Sequence, residues 1–177
     1  MIAVDTQLLI YAHRAEYPWH PRARERIASL AGSGARWAIP MHCLVEFYAN
    51  VTRARRYSPP STPQQAILQT EAWLGAPTVS VLTESAATWA VTAELLAATG
   101  TTGAIAYDAR IAAVCLQHGV TELWTHDRDF SRFQDLRTRN PLADPEPGRA
   151  GEARAHYTPR ARMAKTAAST ASPPRRA

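Results

Sequence analysis

Five carboxylates stand where they could work together. Asp5 follows the apolar run Ile2-Ala3-Val4, and Glu46 lies between Val45 and Phe47. Asp108 follows Tyr107 and precedes Ile111, Ala112 and Cys115; Asp127 and Asp129 fall in the run Thr125-His126-Asp127-Arg128-Asp129-Phe130. Three or more carboxylates in one partly buried site cannot all ionise without a cation, because like charges push each other's pKa upward. Oxygen donors alone favour Mg²⁺ or Mn²⁺ over zinc, and the chain has no CxxC, no HExxH and no His/Cys cluster to compete. Such an ion keeps open positions for phosphate oxygens, which is the design of a phosphodiesterase site.

Each acid also has a plain structural reading. Asp5 could cap the helix starting at Thr6, Asp108 could satisfy a helix dipole, and Asp127 or Asp129 could be a turn residue. Glu46 is hardest to explain this way, since a carboxylate beside Val45 and Phe47 is costly unless paired. His13 and His126 read as solvent or turn histidines, neither having a partner at ligand spacing. The joint placement of the acids carries the weight.

The elements that must position them follow from apolar patterning. Short runs at Ile2 to Val4, Trp37 to Ile39, Val79 to Leu82 and Leu123 to Thr125 have the length of buried strands. Between them lie helical patterns over Thr6 to His13, Pro21 to Leu30, Met41 to Thr52, Gln64 to Leu74, Glu84 to Thr99 and Tyr107 to His118. Gly100 and Gly119 end the last two, and Ser58, Pro59, Pro60 and Pro63 mark a loop. Strands alternating with helices predict a three-layer α/β/α sandwich around a mainly parallel sheet, with Asp5 and Asp127 at strand ends, where open parallel sheets place their sites. The sequence holds no internal repeat and no Gly-rich phosphate loop.

With 177 residues the chain is expected to form one catalytic domain over 1–142, followed by a basic, Pro/Ala/Arg-rich, disordered tail over 143–177. That tail has seven basic and three acidic side chains, a net +4, which leaves only +1 of the chain's +5 for residues 1–142. Net charge is therefore weak evidence for nucleic-acid binding: the tail could add salt-sensitive affinity for phosphates or simply be solvated. Cys43 and Cys115 lie among apolar residues and read as buried free thiols, consistent with a reducing, cytoplasmic setting. Met1 to Ala12 lacks a positively charged stretch and is interrupted by Asp5, so neither a signal peptide nor a membrane span is expected.

In order and spacing, these pieces resemble the PIN-domain family and, within it, the VapC-type toxins of type II toxin-antitoxin pairs. The likeness rests on Ile2-Ala3-Val4-Asp5-Thr6 with Leu8, Leu9 and Ile10, on Leu44-Val45-Glu46, on Tyr107-Asp108-Ala109 with Ile111-Ala112-Ala113, and on Thr125 to Phe130. The resemblance implies a Mg²⁺- or Mn²⁺-dependent endoribonuclease, usually dimeric, silenced by a cognate antitoxin. It implies Asp5, Glu46, Asp108 and Asp127 as the catalytic acids, with Asp129 an accessory or alternative ligand beside Asp5, Asp108 and Asp127. Gln7 stands where many relatives carry Asn, and the segment after Leu142 departs from the compact family end.

The expected step is in-line attack on the scissile phosphate by a metal-activated water, leaving a 5′-phosphate and a 3′-hydroxyl. Thr6 and Thr125 could donate to a phosphate or to a neighbouring carboxylate. Arg53, Arg55 and Arg56, with Tyr57 beside them, could grip RNA or could merely complement a helix end. Two rivals are a catalytically degenerate PIN-like RNA- or protein-binding module and a haloacid-dehalogenase-like phosphatase. The phosphatase needs a second Asp two residues after the first, where this chain has Gln7.

Overall fold

The first apolar run forms β1 (Ile2–Val4). Asp5 then switches the chain into α1 (Thr6–His13) by accepting the Thr6 backbone N–H at 2.7 Å. α2 (His20–Gly32), with Pro21 in its first turn, leads to β2 (Trp37–Pro40). α3 (Met41–Val51) and α4 (Pro63–Leu74) lead to β3 (Val79–Leu82), α4 being started by a reciprocal capping box between Thr62 and Gln65. α5 (Thr88–Thr99) and α6 (Ile105–Gln117) precede β4 (Glu122–Trp124), and a 3-10 helix (Arg128–Arg132) precedes β5 (Thr138–Arg139). These assignments come from a computed structural model, which describes residues 1–143. The expected tail over 143–177 lies, Ala143 apart, outside the described residues.

The five strands form one sheet in the order β3-β2-β1-β4-β5, parallel throughout. In the centre, Ala3, Val4, Trp37, Ala38, Ile39 and Leu123 are fully buried, which is why those runs read as continuously apolar rather than alternating. The edge strand β3 alternates instead, with Ser80 exposed between the half-buried Val79 and Val81. Right-handed crossovers running outward from β1 to β3 put α1 to α4 on one face, and the return from β3 to β4 puts α5 and α6 on the other. The direction of winding reverses between β1 and β4. A crevice outside the C-terminal ends of these two strands is the expected site in such a sheet.

The expected three-layer α/β/α architecture is thus the observed one, with local differences. β5 has only two residues and no periodic signal, yet it closes that edge, the Leu123 and Thr125 N–H groups donating to the Arg137 and Arg139 carbonyls. Thr125 lies just past β4 rather than within it. α5 starts at Thr88 rather than Glu84, because the Thr88 hydroxyl accepts the Ser85 N–H and Glu84 is drawn into an ion pair with Arg110. On α3, Val45 (60% exposed) and Tyr48 face outward, while Cys43, Leu44, Phe47 and Val51 form the buried stripe.

Candidate active site

Asp5 is where the site starts. It caps α1, as its plain reading allowed, but this engages only one side of the carboxylate. Oδ2 accepts the Thr125 hydroxyl at 2.8 Å, and the Cys43 thiol lies 4.0 Å from Oδ1. Thr125 also accepts the backbone N–H of Asp127 at 2.9 Å, so a single hydroxyl ties the ends of β1 and β4 together. Asp5 is buried, and its Oδ2 has a further lone pair beyond the bond from Thr125.

Glu46, half-buried on α3, accepts the Thr6 hydroxyl at 2.7 Å. This is the pairing its apolar neighbours in sequence called for, and it draws α3 towards the start of α1. Asp127 caps the 3-10 helix by accepting the Asp129 N–H at 2.8 Å, and Asp129 in turn pairs with Arg132 at 2.9 Å. Asp108 lies in the first turn of α6. One carboxylate oxygen from each of Asp108, Asp127 and Asp129 falls within 4.8 Å of the other two.

Asp5 and Glu46 stand outside that tight group, but their charges reach it. Burial raises Asp5 to about 7, and the nearby charges of Glu46 and Asp108 add to the rise against the hydrogen bonds from Thr125 and Thr6. Asp108 is pushed up to about 6, first by burial, then by Asp127, Asp129 and Glu46, with Arg132 opposing. The acids expected from sequence therefore form one electrostatic unit. Asp108, Asp127 and Asp129 are its compact part.

A divalent cation fits this donor set. Oxygens on opposite sides of one Mg²⁺ are about 4.2 Å apart, so a 4.8 Å group of flexible carboxylates needs only small side-chain adjustments. Among the described residues no other set of three or more acid, His or Cys ligand atoms comes so close.

Thr6 and Thr125 are buried, with hydroxyls donated to Glu46 and Asp5. Of the two roles open to them in sequence, the structure shows the carboxylate contact. His13, at the end of α1, and His126, in the bend after β4, are half-buried rather than solvent-facing. His13 lies 2.9 Å from the Ser61 hydroxyl and edge-on to Phe47, and His126 lies edge-on to Tyr11 and Trp19; burial lowers the pKa of both. Arg56 bonds Asn50 and stands 5.9 Å from the Tyr57 ring centre, while Arg53 and Arg55 are exposed. Burial raises the pKa of the Tyr11 hydroxyl, and among nearby charges Asp127 adds to the rise while Arg56 opposes it. Among the described residues, the buried amide oxygen of Gln7 has no hydrogen-bond partner.

Sequence reasoning missed two contributors. Arg132 has no apolar or motif context to mark it, although its i, i+3 spacing from Asp129 is legible afterwards. Cys43 and Cys115 are free and buried as expected, but the contact of Cys43 with Asp5 joins residues 38 apart in the chain and has no sequence signal.

Known proteins are similar to this chain in sequence and in fold. Ribonuclease VapC43 of Mycobacterium tuberculosis is 34% identical over 142 residues, covering 80% of this chain and 96% of that protein. Among solved structures, Mycobacterium tuberculosis VapC20, described as a Sarcin-Ricin loop cleaving toxin, is 21% identical with a TM-score of 0.57, covering 74% of this chain and 93% of that one. A toxin-antitoxin complex from Klebsiella pneumoniae superposes with a TM-score of 0.52 at 16% identity, covering 80% and 98% respectively. The PIN domain family model matches residues 2–136. With the strand-end acids, the all-parallel sheet and this match in agreement, the chain belongs to the PIN domain family, in its VapC branch.

Proposed function

We propose that the protein is a divalent-cation-dependent endoribonuclease and the toxin of a toxin-antitoxin pair. The observation that carries this reading is the convergence of Asp108, Asp127 and Asp129 at the β1/β4 crevice, with Asp5 and Glu46 electrostatically coupled to them. The ribonuclease names of relatives such as VapC43 support the choice of RNA as substrate.

Asp5, Asp108, Asp127 and Asp129 would hold Mg²⁺ or Mn²⁺. When bound, the ion lowers the pKa of a water molecule and offsets charge on the phosphate oxygens. Asp5, fixed from both sides by Thr6 and Thr125, contributes a carboxylate that cannot swing away. Glu46, held through one oxygen by Thr6, presents the other to orient the attacking water and take its proton. Attack in line with the leaving 3′-oxygen forms the new P–O bond as the P–O3′ bond breaks; the 3′-oxygen takes a proton from solvent, giving a 5′-phosphate and a 3′-hydroxyl. Arg53, Arg55 and Arg56 hold neighbouring phosphates. The partners are RNA, a cognate antitoxin and a second copy of the chain, in the cytoplasm. Among the described residues no helix is long and apolar enough to cross a membrane.

The test is to incubate the full chain, freed of any bound protein, with total RNA in Mg²⁺ and then in chelator, and to map the new 5′ ends. Discrete cation-dependent cuts that disappear in Asp108→Asn are expected. Their absence from the wild-type protein would overturn the reading.

A further inference from the structure

We propose that the cavity between α3 and α6, with His42 on its wall and Tyr107 stacked on His42, is a subsite for one unpaired nucleobase beside the acid cluster. The choice of an RNA base as occupant rests on the ribonuclease reading above. The cavity encloses about 440 Å³ at the C-terminal ends of β2 and β3, within the range of small-ligand pockets, about 300–1,000 Å³. Pro40, Val45, Leu82, Ile111 and Val114 give it apolar walls.

Its polar groups suit the edge of a base. Arg110 supplies donors, Glu84 an acceptor, and His42, whose Nδ1 accepts from Arg110, an Nε2 donor. Arg110 pairs with Glu84 and lies 3.1 Å from Nδ1 of His42, so the three form a fixed set carrying both signs of hydrogen-bonding group. The His42 and Tyr107 rings are nearly parallel, 13° apart with centres 6.1 Å apart, an offset stack. Tyr107 remains 61% exposed. Proteins hold unstacked bases of single-stranded RNA against aromatic rings and charged planar groups; here His42 presents its ring to the cavity, and Tyr107, outside the lining, backs that ring.

Position links the cavity to the chemistry. Tyr107 immediately precedes Asp108 on α6, and His42 lies four residues, about one turn, before Glu46 on the same side of α3. The charge of Glu46 reaches His42. A base seated here would bring its own phosphate alongside Asp108 and Glu46, and would select which nucleotide stands next to the cut.

The test uses the full chain and short single-stranded RNAs carrying 2-aminopurine at successive positions, bound in Ca²⁺ and read by fluorescence. Wild type and Tyr107→Phe should quench the probe strongly at one position. Tyr107→Ala should lose that quench and bind about tenfold more weakly, the size of one lost stack. Val45→Trp, which fills the cavity from an exposed wall position, should do the same. An abasic site at that position should weaken wild type equally and leave Tyr107→Ala unaffected. In Mg²⁺, sequenced cut sites should lose their base preference in both variants.

Unchanged affinity, quench and cut-site preference in Tyr107→Ala and Val45→Trp would overturn the subsite while leaving the nuclease standing. A Tyr107-dependent quench without cleavage in Mg²⁺ would do the reverse. Variants that alter only self-association or the hold on a protein partner would also overturn it, making the cavity a protein interface.

Discussion

Replacing Asp5 by Asn should stabilise the metal-free protein while ending its activity, an outcome opposite to that of most changes at buried hydrogen-bonded positions. Asp5 titrates at 3.8 in an unfolded chain and at about 7 in the folded one. At 1.36 kcal/mol per unit, its ionisation costs the folded state about 4 kcal/mol above pH 7. The sign follows from proton uptake: the folded chain holds this proton more tightly, so stability falls as pH rises from about 4 to about 7 and stays reduced above. Asn keeps the acceptor for the Thr6 N–H, and its amide N–H turns towards the Thr125 hydroxyl in place of a carboxylate oxygen. That exchange costs about 1 kcal/mol. The net gain near pH 8 is then about 3 kcal/mol, or a Tm rise of about 6–12 °C for a chain of this size. The assay is thermal unfolding of both proteins in chelator at pH 8 and pH 5. The gain should shrink to under about 1 kcal/mol at pH 5, where wild-type Asp5 holds its proton. An unchanged or lower Tm for Asp5→Asn at pH 8, or a gain independent of pH, would refute the reasoning.

Thr125→Val preserves shape but removes the hydroxyl joining Asp5 to the Asp127 backbone; cation affinity measured by titration should fall about 10–100-fold, and an unchanged affinity would count against the link. Arg53→Ala with Arg56→Ala should raise KM for RNA while leaving kcat near wild type, and the affinity should become less sensitive to salt, since phosphate contacts release counterions on binding. Phe47→Ala empties a fully buried site packed against Trp73 and His13, and should cost about 3–5 kcal/mol in denaturant unfolding.

How far sequence reasoning reached depends on the range over which each signal acts. β1, β2 and α1 were legible because apolar runs and an Asp cap are local signals, and Ala3, Val4 and Ile39 are buried on both sides of the sheet as such runs require. β5 was not legible, since two residues carry no period and its existence depends on bonds from Leu123 and Thr125. Val45 and Tyr48 fit the helical apolar pattern but point outward, because periodicity cannot distinguish a core stripe from an exposed apolar face. Asp5 and Asp127 could be singled out by type and position at strand ends, and Glu46 and Asp108 as acids set among apolar helical neighbours. Their division into a compact trio and an outer pair could not, because it arises from tertiary contacts: Thr125 draws Asp5 to β4, and Thr6 draws Glu46 to α1.

On the proposed reading, side chains far apart in the chain share one divalent ion. Calorimetric titration of the chelator-stripped protein with Mn²⁺ tests it most directly. Wild type should bind tightly at pH 8 and markedly more weakly at pH 5, where Asp108 (about 6) and Asp5 (about 7) hold protons that the cation must displace. Asp108→Asn and Asp127→Asn should each abolish that binding. Undiminished Mn²⁺ binding in both variants, or none in the wild type at pH 8, would contradict the account.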